Sequence, residues 1–513
     1  MAEPLLSVEN VSISFGEVRA LNGVDMTINE GEIRCLVGEN GCGKSTLVKI
    51  ISGVYRRSAG TVRIGGAKVD DHDPRRAIAA GIQVIYQDLS LFNHLSVAEN
   101  IAINRLLHNG TRIVKRREVH DIAREQLERV GVSLDLDAKV STLSIANKQI
   151  VAIARALSMD ARLLFMDEPT TAITTTEVDR LFSIVRELNQ RGLSIVFISH
   201  KLDEVFDIAD TITVMRDGYM VGDFPADSLD SAKLAFHMTG RDVAHQPYRR
   251  VARDDDSTAP PVLEVRDLTR DGHYRHVDFT IRRGDILGLT GLLGAGRTEI
   301  ALTLFGLNPA TSGNILIDGK PGRLTAPWNA MSAGIALVPE DRATEGLFNA
   351  QTVSKNVSST RLDHVVNRWS FLSPSKESEL AQRTVHAMGV NNKNTDTLAA
   401  TLSGGNQQKV VIGKWMATEP RVLILDSPTV GIDIGSKSEI YEQVQQLADE
   451  GMAVLLISDE PEEIIATCNR VLVMHDGDVI AGFDDSQRQA PGFKEKLAEL
   501  IADPASAAVR SKG

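Results

Sequence analysis

One motif set occurs twice in this chain of 513 residues, at a nearly fixed offset, and that repeat dictates two copies of one fold. Lys44 and Arg297 lie 253 positions apart, as do Gln87 and Glu340. Ser144 and Ser403, Asp167 and Asp426, and His200 and Asp459 each lie 259 apart. Self-similarity over this length means two domains, not a solenoid of short repeats. Each is large enough for a full core. The expected boundaries are a first domain over 1–242, a linker over 243–261, a second domain over 262–501 and a flexible tail over 502–513. The linker reads as exposed because VAHQPYRRVARDDDSTAPP is polar, carries a run of three Asp and has no periodicity.

The net charge of −12 argues against a chain whose whole surface binds nucleic acid. Glycines break the longest apolar runs well short of about 18 residues, so no membrane-spanning helix is expected. The start, MAEPLLSVEN, lacks the basic and apolar regions of a secretory signal. Cys35, Cys42 and Cys468 show no paired spacing and fit a reducing cytosol.

Each half opens with alternating apolar residues that read as antiparallel strands: LLSVENVSISF with ALNGVDMTI, and VLEVRDLTR with HVDFTI. A buried strand then meets a glycine loop and a helix: EIRCLV before GENGCGKST, and DILGLT before GLLGAGRTE. Charged helical stretches such as KRREVHDIAREQLERVG suggest an inserted helical subdomain. Two further apolar strands close each core, RLLFMD and SIVFIS, then RVLILD and AVLLIS. Alternating strands and helices mean an α/β fold with a mostly parallel sheet.

The first loop matches G-x-x-x-x-G-K-[ST] between strand and helix, the context that phosphate binding needs. Gly38, Gly41 and Gly43 let the backbone wrap a phosphate, with Glu39, Asn40, Cys42 and Thr46 completing the loop. Lys44 is expected to bridge β- and γ-phosphates, and Ser45 to ligate Mg²⁺. Asp167, at a strand end, is expected to hold Mg²⁺ through water. Glu168 is the candidate general base, a role typically contributing about 10²–10⁴ in rate. His200, 33 residues past Asp167, is placed to meet the γ-phosphate, and Gln87 to sense γ-phosphate and Mg²⁺. Phe15 either stacks on adenine or is a strand-core aromatic. Cys42 is either a small filler or a thiol whose pKa is lowered near a helix N-terminus.

The LSGGNQQ motif at 402–408, a D-E-P-T run at 167–170 and the following His resemble the ATP-binding cassette family over nearly the whole chain. GLLGAGRTE, VPEDR, LSGGNQQK and TVGIDIGSKSEIY, with TAIT at 171–174, narrow the resemblance. They are similar to the tandem ATPase subunits of bacterial monosaccharide importers of the ribose, galactose and xylose type. The resemblance implies two P-loop cassettes, each with a RecA-like sheet, an antiparallel β subdomain and a helical subdomain. It implies ATP and Mg²⁺. It also implies two permease subunits as partners, a periplasmic or lipid-anchored sugar-binding protein, and a peripheral place on the cytoplasmic face of the inner membrane.

In that family the cassettes pair head to tail, each ATP lying between the glycine loop of one half and the signature motif of the other. The first site would then add Ser403, Gly404, Gly405 and Asn406. The second would combine Gly291, Gly294, Gly296, Arg297, Thr298, Glu340, Asp426, Ser427 and Asp459 with Ser144, Ile145, Ala146 and Asn147. There Ser427 cannot serve as a base, Asp459 repels a γ-phosphate, Arg297 lacks Lys geometry, and Ile145 and Ala146 carry side chains where glycine lets the backbone approach. One hydrolytic site and one nucleotide-holding site are expected. A tandem cassette acting on ribosomes or DNA fits less well, since such proteins keep both acidic bases and a long charged linker. The segments after Gln87 and Glu340 carry Leu91, Phe92, Leu347 and Phe348, which read either as permease-docking residues or as packing within their own subdomain.

Overall fold

The computed structural model describes residues 3–16, 18–69, 73–111, 113–170, 173–241, 247–251, 259–390 and 394–502. The chain forms two compact units, Met1–Val243 and Ala244–Gly513. Thr171 and Ala172 of the TAIT sequence, most of the expected linker and the tail from 503 lie outside the described residues.

The first unit holds a six-stranded sheet in the order Tyr219–Pro225, Thr211–Arg216, Ile33–Val37, Ser194–Ile198, Leu163–Asp167, Ile82–Ile85. All neighbours are parallel except the edge pair Tyr219–Pro225 with Thr211–Arg216. The central strands IRCLV and SIVFI are buried at every residue, as expected of strands covered on both faces. A second, antiparallel sheet runs Val18–Ile28, Leu6–Phe15, Ala59–Ile64, Ala67–Lys68. The Ala59–Ile64 hairpin and the strands Thr211–Arg216 and Tyr219–Pro225 went unnoticed in the sequence.

The helical subdomain contains Val97–His108, Arg116–Val130 and Ile145–Leu157. Ser96 and Glu99 form a reciprocal cap on the first. The second buries Val119, Ile122, Ala123, Gln126, Leu127 and Val130 at helical spacing, and ends at Gly131 with φ 73°.

The second unit repeats the plan. Its main sheet runs Ile335–Val338, Val422–Asp426, Ala453–Ile457, Ile286–Gly291, Arg470–His475, Asp478–Phe483. Its antiparallel sheet runs Tyr274–Ile281, Leu263–Arg270, Ser312–Ile317, Lys320–Pro321. Successive residues of one strand serve opposite faces: Ile286 packs into one core cluster, Leu287 and Leu289 into the other. No helix among the described residues is long and apolar enough to cross a membrane.

Two sequence expectations need correction. Tyr248, inside the expected exposed linker, is only 5% exposed and joins the second unit's core. Its O–H donates to the Gly284 carbonyl at 3.0 Å, and Arg488 Nη2 donates to the Tyr248 carbonyl at 2.6 Å. An aromatic ring outweighs the polarity of its neighbours because it buries more apolar area than they keep wet. Leu347 is likewise buried and Leu91 half-buried, so only the phenylalanines of the two candidate docking segments project. Tyr248→Ala should destabilise the second unit by about 3 kcal/mol, whereas Tyr248→Phe should cost about 1 kcal/mol for the hydroxyl bond. Urea unfolding of the full chain checks both, and equal losses would contradict ring burial as the anchor.

Candidate functional site

Parallel pairing brings the dispersed motifs of each unit to one sheet edge. Leu36 and Asp167 both pair with Ile198. The loop from Gly38, the acid Glu168 and the ring of His200 therefore leave the sheet within two residues of one level. This is the carboxyl edge where open α/β sheets hold ligands. Gly38, Gly41 and Gly43 take φ of 153°, 81° and 110°. A Cβ on Gly43 would meet the Ala20 carbonyl at 2.7 Å, whereas one on Gly41 would meet nothing within 4 Å. The first glycine is thus fixed by packing, and the second leaves its backbone open. The helix Lys44–Ile51 follows at once, with no side-chain cap on its N-terminus, leaving amide N–H groups free for an anion.

Asn40, Gly41, Gly43, Lys44, Ser45, Thr46, Gln87, Asp167 and Glu168 line one cleft. Lys44 is buried and donates from Nζ to the carbonyls of Gly38 at 2.7 Å and Glu39 at 3.0 Å. Glu168 is held on both oxygens: His200 Nδ1 lies 3.0 Å from Oε1, and Gln87 Nε2 donates to Oε2 at 3.3 Å. The His200 bond keeps the Glu168 carboxyl below its ordinary pKa, against the opposing effect of burial. Asp167 is pushed up by burial and then by the Glu168 charge, while the Ser45 hydroxyl bonds to it. A hydroxyl and a carboxylate oxygen together suit a hard cation such as Mg²⁺.

Glu168 has φ 47°, a left-handed backbone unusual for a non-glycine residue. Its N–H donates to the Ile198 carbonyl at 2.9 Å. Ser427 repeats this with φ 46° and a 2.9 Å bond to the Ile457 carbonyl. The second unit therefore repeats the left-handed turn with a hydroxyl in place of the carboxylate. Gly291, Gly294 and Gly296 repeat the loop with φ of 148°, 83° and 96°. Buried Arg297 stands in the place of Lys44 and, among the described residues, hydrogen-bonds only the Leu292 carbonyl, at 3.4 Å. Burial lowers its pKa, opposed by the charges of Asp459, Asp426, Glu340 and Glu299. Thr298 bonds to Asp426 as Ser45 does to Asp167. Among the described residues, Arg297 Nη1 and Asp426 Oδ1 are buried without hydrogen-bond partners. Buried orphans of opposite sign beside an open glycine loop fit a bound phosphate and cation.

The signature residues sit where a helix begins. Ser144 caps Ile145–Leu157 and Ser403 caps Gly404–Met416, each through its hydroxyl to the backbone N–H of Asn147 or Asn406. A Cβ on Gly405 would overlap Ser436, so that glycine also serves packing within its own unit. Ala146 instead borders a shallow groove with Gln149, Ile150 and Ile173. Phe15 is 47% exposed and meets Tyr55 edge-on at 5.2 Å, which removes the strand-core alternative. Cys42 is buried, and burial raises its thiol pKa, which overturns the activated-thiol alternative. Sequence reasoning missed Glu204. Its Oε2 accepts from Thr170 Oγ1 at 2.6 Å and Ser199 Oγ at 3.0 Å, tying the two strand ends that carry Glu168 and His200. Glu463, again 259 positions on, accepts from Thr429 at 2.9 Å. That offset was the available signal.

Residues 21–171 and 274–430 each match the ABC transporter family. The chain belongs to the ABC transporter family. It is 44% identical to the ribose import ATP-binding protein RbsA 1 of Streptomyces coelicolor, over 93% of this chain and 94% of that protein. It is 40% identical to the ribose import ATP-binding protein RbsA of Geobacillus kaustophilus, over 93% and 96%. It is 44% identical to the ribose import ATP-binding protein RbsA 2 of Rubrobacter xylanophilus, over 94% and 92%. Both cassettes thus fall within the family, the one with Glu168 and the one with Ser427.

Burial pushes Asp426 up to about 6, against the Thr298 bond and the Arg297 charge. A carboxyl raised in the fold costs stability above that pH, and the cost fades as pH falls through about 6 toward the unfolded value. Asp426→Asn should therefore stabilise the ligand-free protein by about 1–3 kcal/mol at pH 7.5 and by almost nothing at about pH 4. Denaturation across this range checks the sign; a gain that grows as pH falls would contradict it.

Proposed function

We propose that this chain is the ATP-hydrolysing subunit of a bacterial monosaccharide importer, with one hydrolytic site and one nucleotide-holding site. The observation that carries the reading is the contrast at equivalent turns. Glu168 is ionised and held by His200 and Gln87, whereas Ser427 has the same backbone and no carboxylate. The relatives named for ribose import support the substrate class.

In the first unit the free amides of the glycine loop and helix N-terminus receive the phosphates, and Lys44 turns from its two carbonyls to the β- and γ-oxygens. Mg²⁺, held by Ser45 and Gln87 and through water by Asp167, would neutralise phosphate charge. Glu168 takes the proton of the attacking water, with His200 fixing the direction of its carboxylate. The low pKa keeps Glu168 ready as a base at neutral pH. In the second unit Arg297, Thr298 and Asp426 hold nucleotide without a base to activate water.

The proposed partners are two permease subunits, met on the cytoplasmic face of the inner membrane, and through them a sugar-binding protein. Phe92 is 51% exposed and Phe348 60% exposed, each on a segment held by an equivalent buried asparagine, Asn100 or Asn356, which favours docking over internal packing.

Steady-state ATPase and labelled ribose, galactose or xylose uptake by the assembled transporter test the reading. Glu168→Gln should lower turnover by about 10² or more, and Ser427→Glu should change it little. Turnover surviving in Glu168→Gln would sink the one-site scheme. Phe92→Asp and Phe348→Asp should leave nucleotide binding intact and abolish most uptake; a double variant with normal assembly and uptake would remove these side chains from the interface.

A further inference from the structure

One link outside the nucleotide sites is kept in both units although its chemistry differs. Arg155 and Lys414 are equivalent, 259 positions apart, each on the helix capped by a signature serine. Arg155 Nη1 donates to the Ser90 carbonyl at 2.7 Å and Nη2 to the Leu89 carbonyl at 2.8 Å. Lys414 Nζ donates to the Gly346 carbonyl at 2.6 Å and lies 5.9 Å from the centre of the Phe348 ring. Both cations thus grip the segment between Gln87 or Glu340 and its exposed phenylalanine. In the first unit that segment is strained, with φ of 57° at Leu89 and 45° at Ser90.

The other side of each segment is held just as firmly. Asn100 and Asn356 are fully buried. Asn100 Oδ1 accepts the Phe92 N–H at 2.9 Å, and its amide donates to the Phe92 carbonyl at 3.0 Å. Asn356 does the same for Phe348, at 2.8 and 3.1 Å. The segment is therefore fixed between two helices while the phenylalanine ring projects to solvent. A buried ammonium satisfied by one carbonyl is a costly device for local stability alone, because the charge is desolvated without a counter-charge. Lys414 is 7% exposed, and burial lowers its pKa to about 8.

We propose that Arg155 and Lys414 are positioning residues, struts that carry a displacement of the phenylalanine segment along the signature helix to the turns capped by Ser144 and Ser403. The cation lies 11 residues beyond the capping serine in each unit, about 16 Å along a continuous helix, so a push on one end moves the other as a rigid rod. Each strut couples its phenylalanine segment to the signature turn of the same unit without touching nucleotide. This inference rests on the reading that the phenylalanine segments dock on permease subunits.

The test uses the full chain assembled with permease and binding protein in proteoliposomes. Lys414→Met and Arg155→Met should each lower sugar moved per ATP by about ten-fold, with KM for ATP and the basal ATPase of the isolated chain within about two-fold of the unaltered protein. Lys414→Arg should recover at least half of the coupling. Unchanged coupling in both Met variants overturns the strut. So does a parallel loss of basal ATPase and uptake that Lys414→Arg leaves unrescued, the pattern of simple misfolding. If the unaltered transporter hydrolyses ATP but moves no sugar, the importer reading fails, and hydrogen exchange in the isolated chain judges the strut. Nucleotide should then alter exchange in both 404–416 and 343–349, and in Lys414→Met only in 404–416. Any other pattern overturns the proposal.

Discussion

Everything chemical in this molecule hangs on the register of three parallel strands. Ile198 stands level with both Leu36 and Asp167, and Ile457 with both Leu289 and Asp426. A slip of one residue would turn every side chain to the opposite face and separate the glycine loop from the acidic turn. The buried bonds of Glu204 to Thr170 and Ser199 secure the strand ends in the first unit, as Glu463 does with Thr429 in the second. Burial raises Glu463 to about 7, the cost of fixing a turn with an acid that water cannot reach.

This frame explains how one unit can carry Ser427 where the other carries Glu168 and keep the same architecture. The left-handed backbone at 168 and 427 is held by main-chain bonds and by the strand pairing, not by the side chain it presents. Substitution of Glu by Ser at such a place therefore costs the fold little. Substitution of a loop glycine would be different. Gly38 and Gly291 sit against the carbonyls of Met215 and Met474, where any Cβ would overlap backbone. The glycines that pack persist in both copies, and the residues that only react are free to diverge. Among the described residues, Arg297 Nη1 and Asp426 Oδ1 stay buried without partners beside the second glycine loop.

The signature helix links a surface loop to the turn at its own N-terminus in each unit. Its N-terminus carries the capping serine, and its later turns carry the cation that grips the loop bearing Phe92 or Phe348. Arg in one copy and Lys in the other reach carbonyls of equivalent loops. A fork of N–H groups spans two carbonyls, whereas a single ammonium serves one.

The sequence by itself determined the two cassettes, their α/β plan, the phosphate loop and the asymmetry between Glu168 and Ser427. These are set by local spacing: a glycine loop between strand and helix, apolar runs of strand length and a repeated offset. The tertiary structure alone decided matters that depend on what surrounds a residue. Tyr248 lies in a polar stretch yet is buried, because the core that accepts it is built from residues far away in sequence. Leu347 turns inward and Phe348 outward although both are apolar neighbours. Cys42 sits at a helix start, where a thiol is ordinarily acidified, but burial outweighs the nearby Lys44 charge. Arg155 and Lys414 resemble any other basic residue on a helix until the fold brings a carbonyl within hydrogen-bonding distance. Burial and partner choice are sums over contacts remote in sequence, and no local pattern contains them.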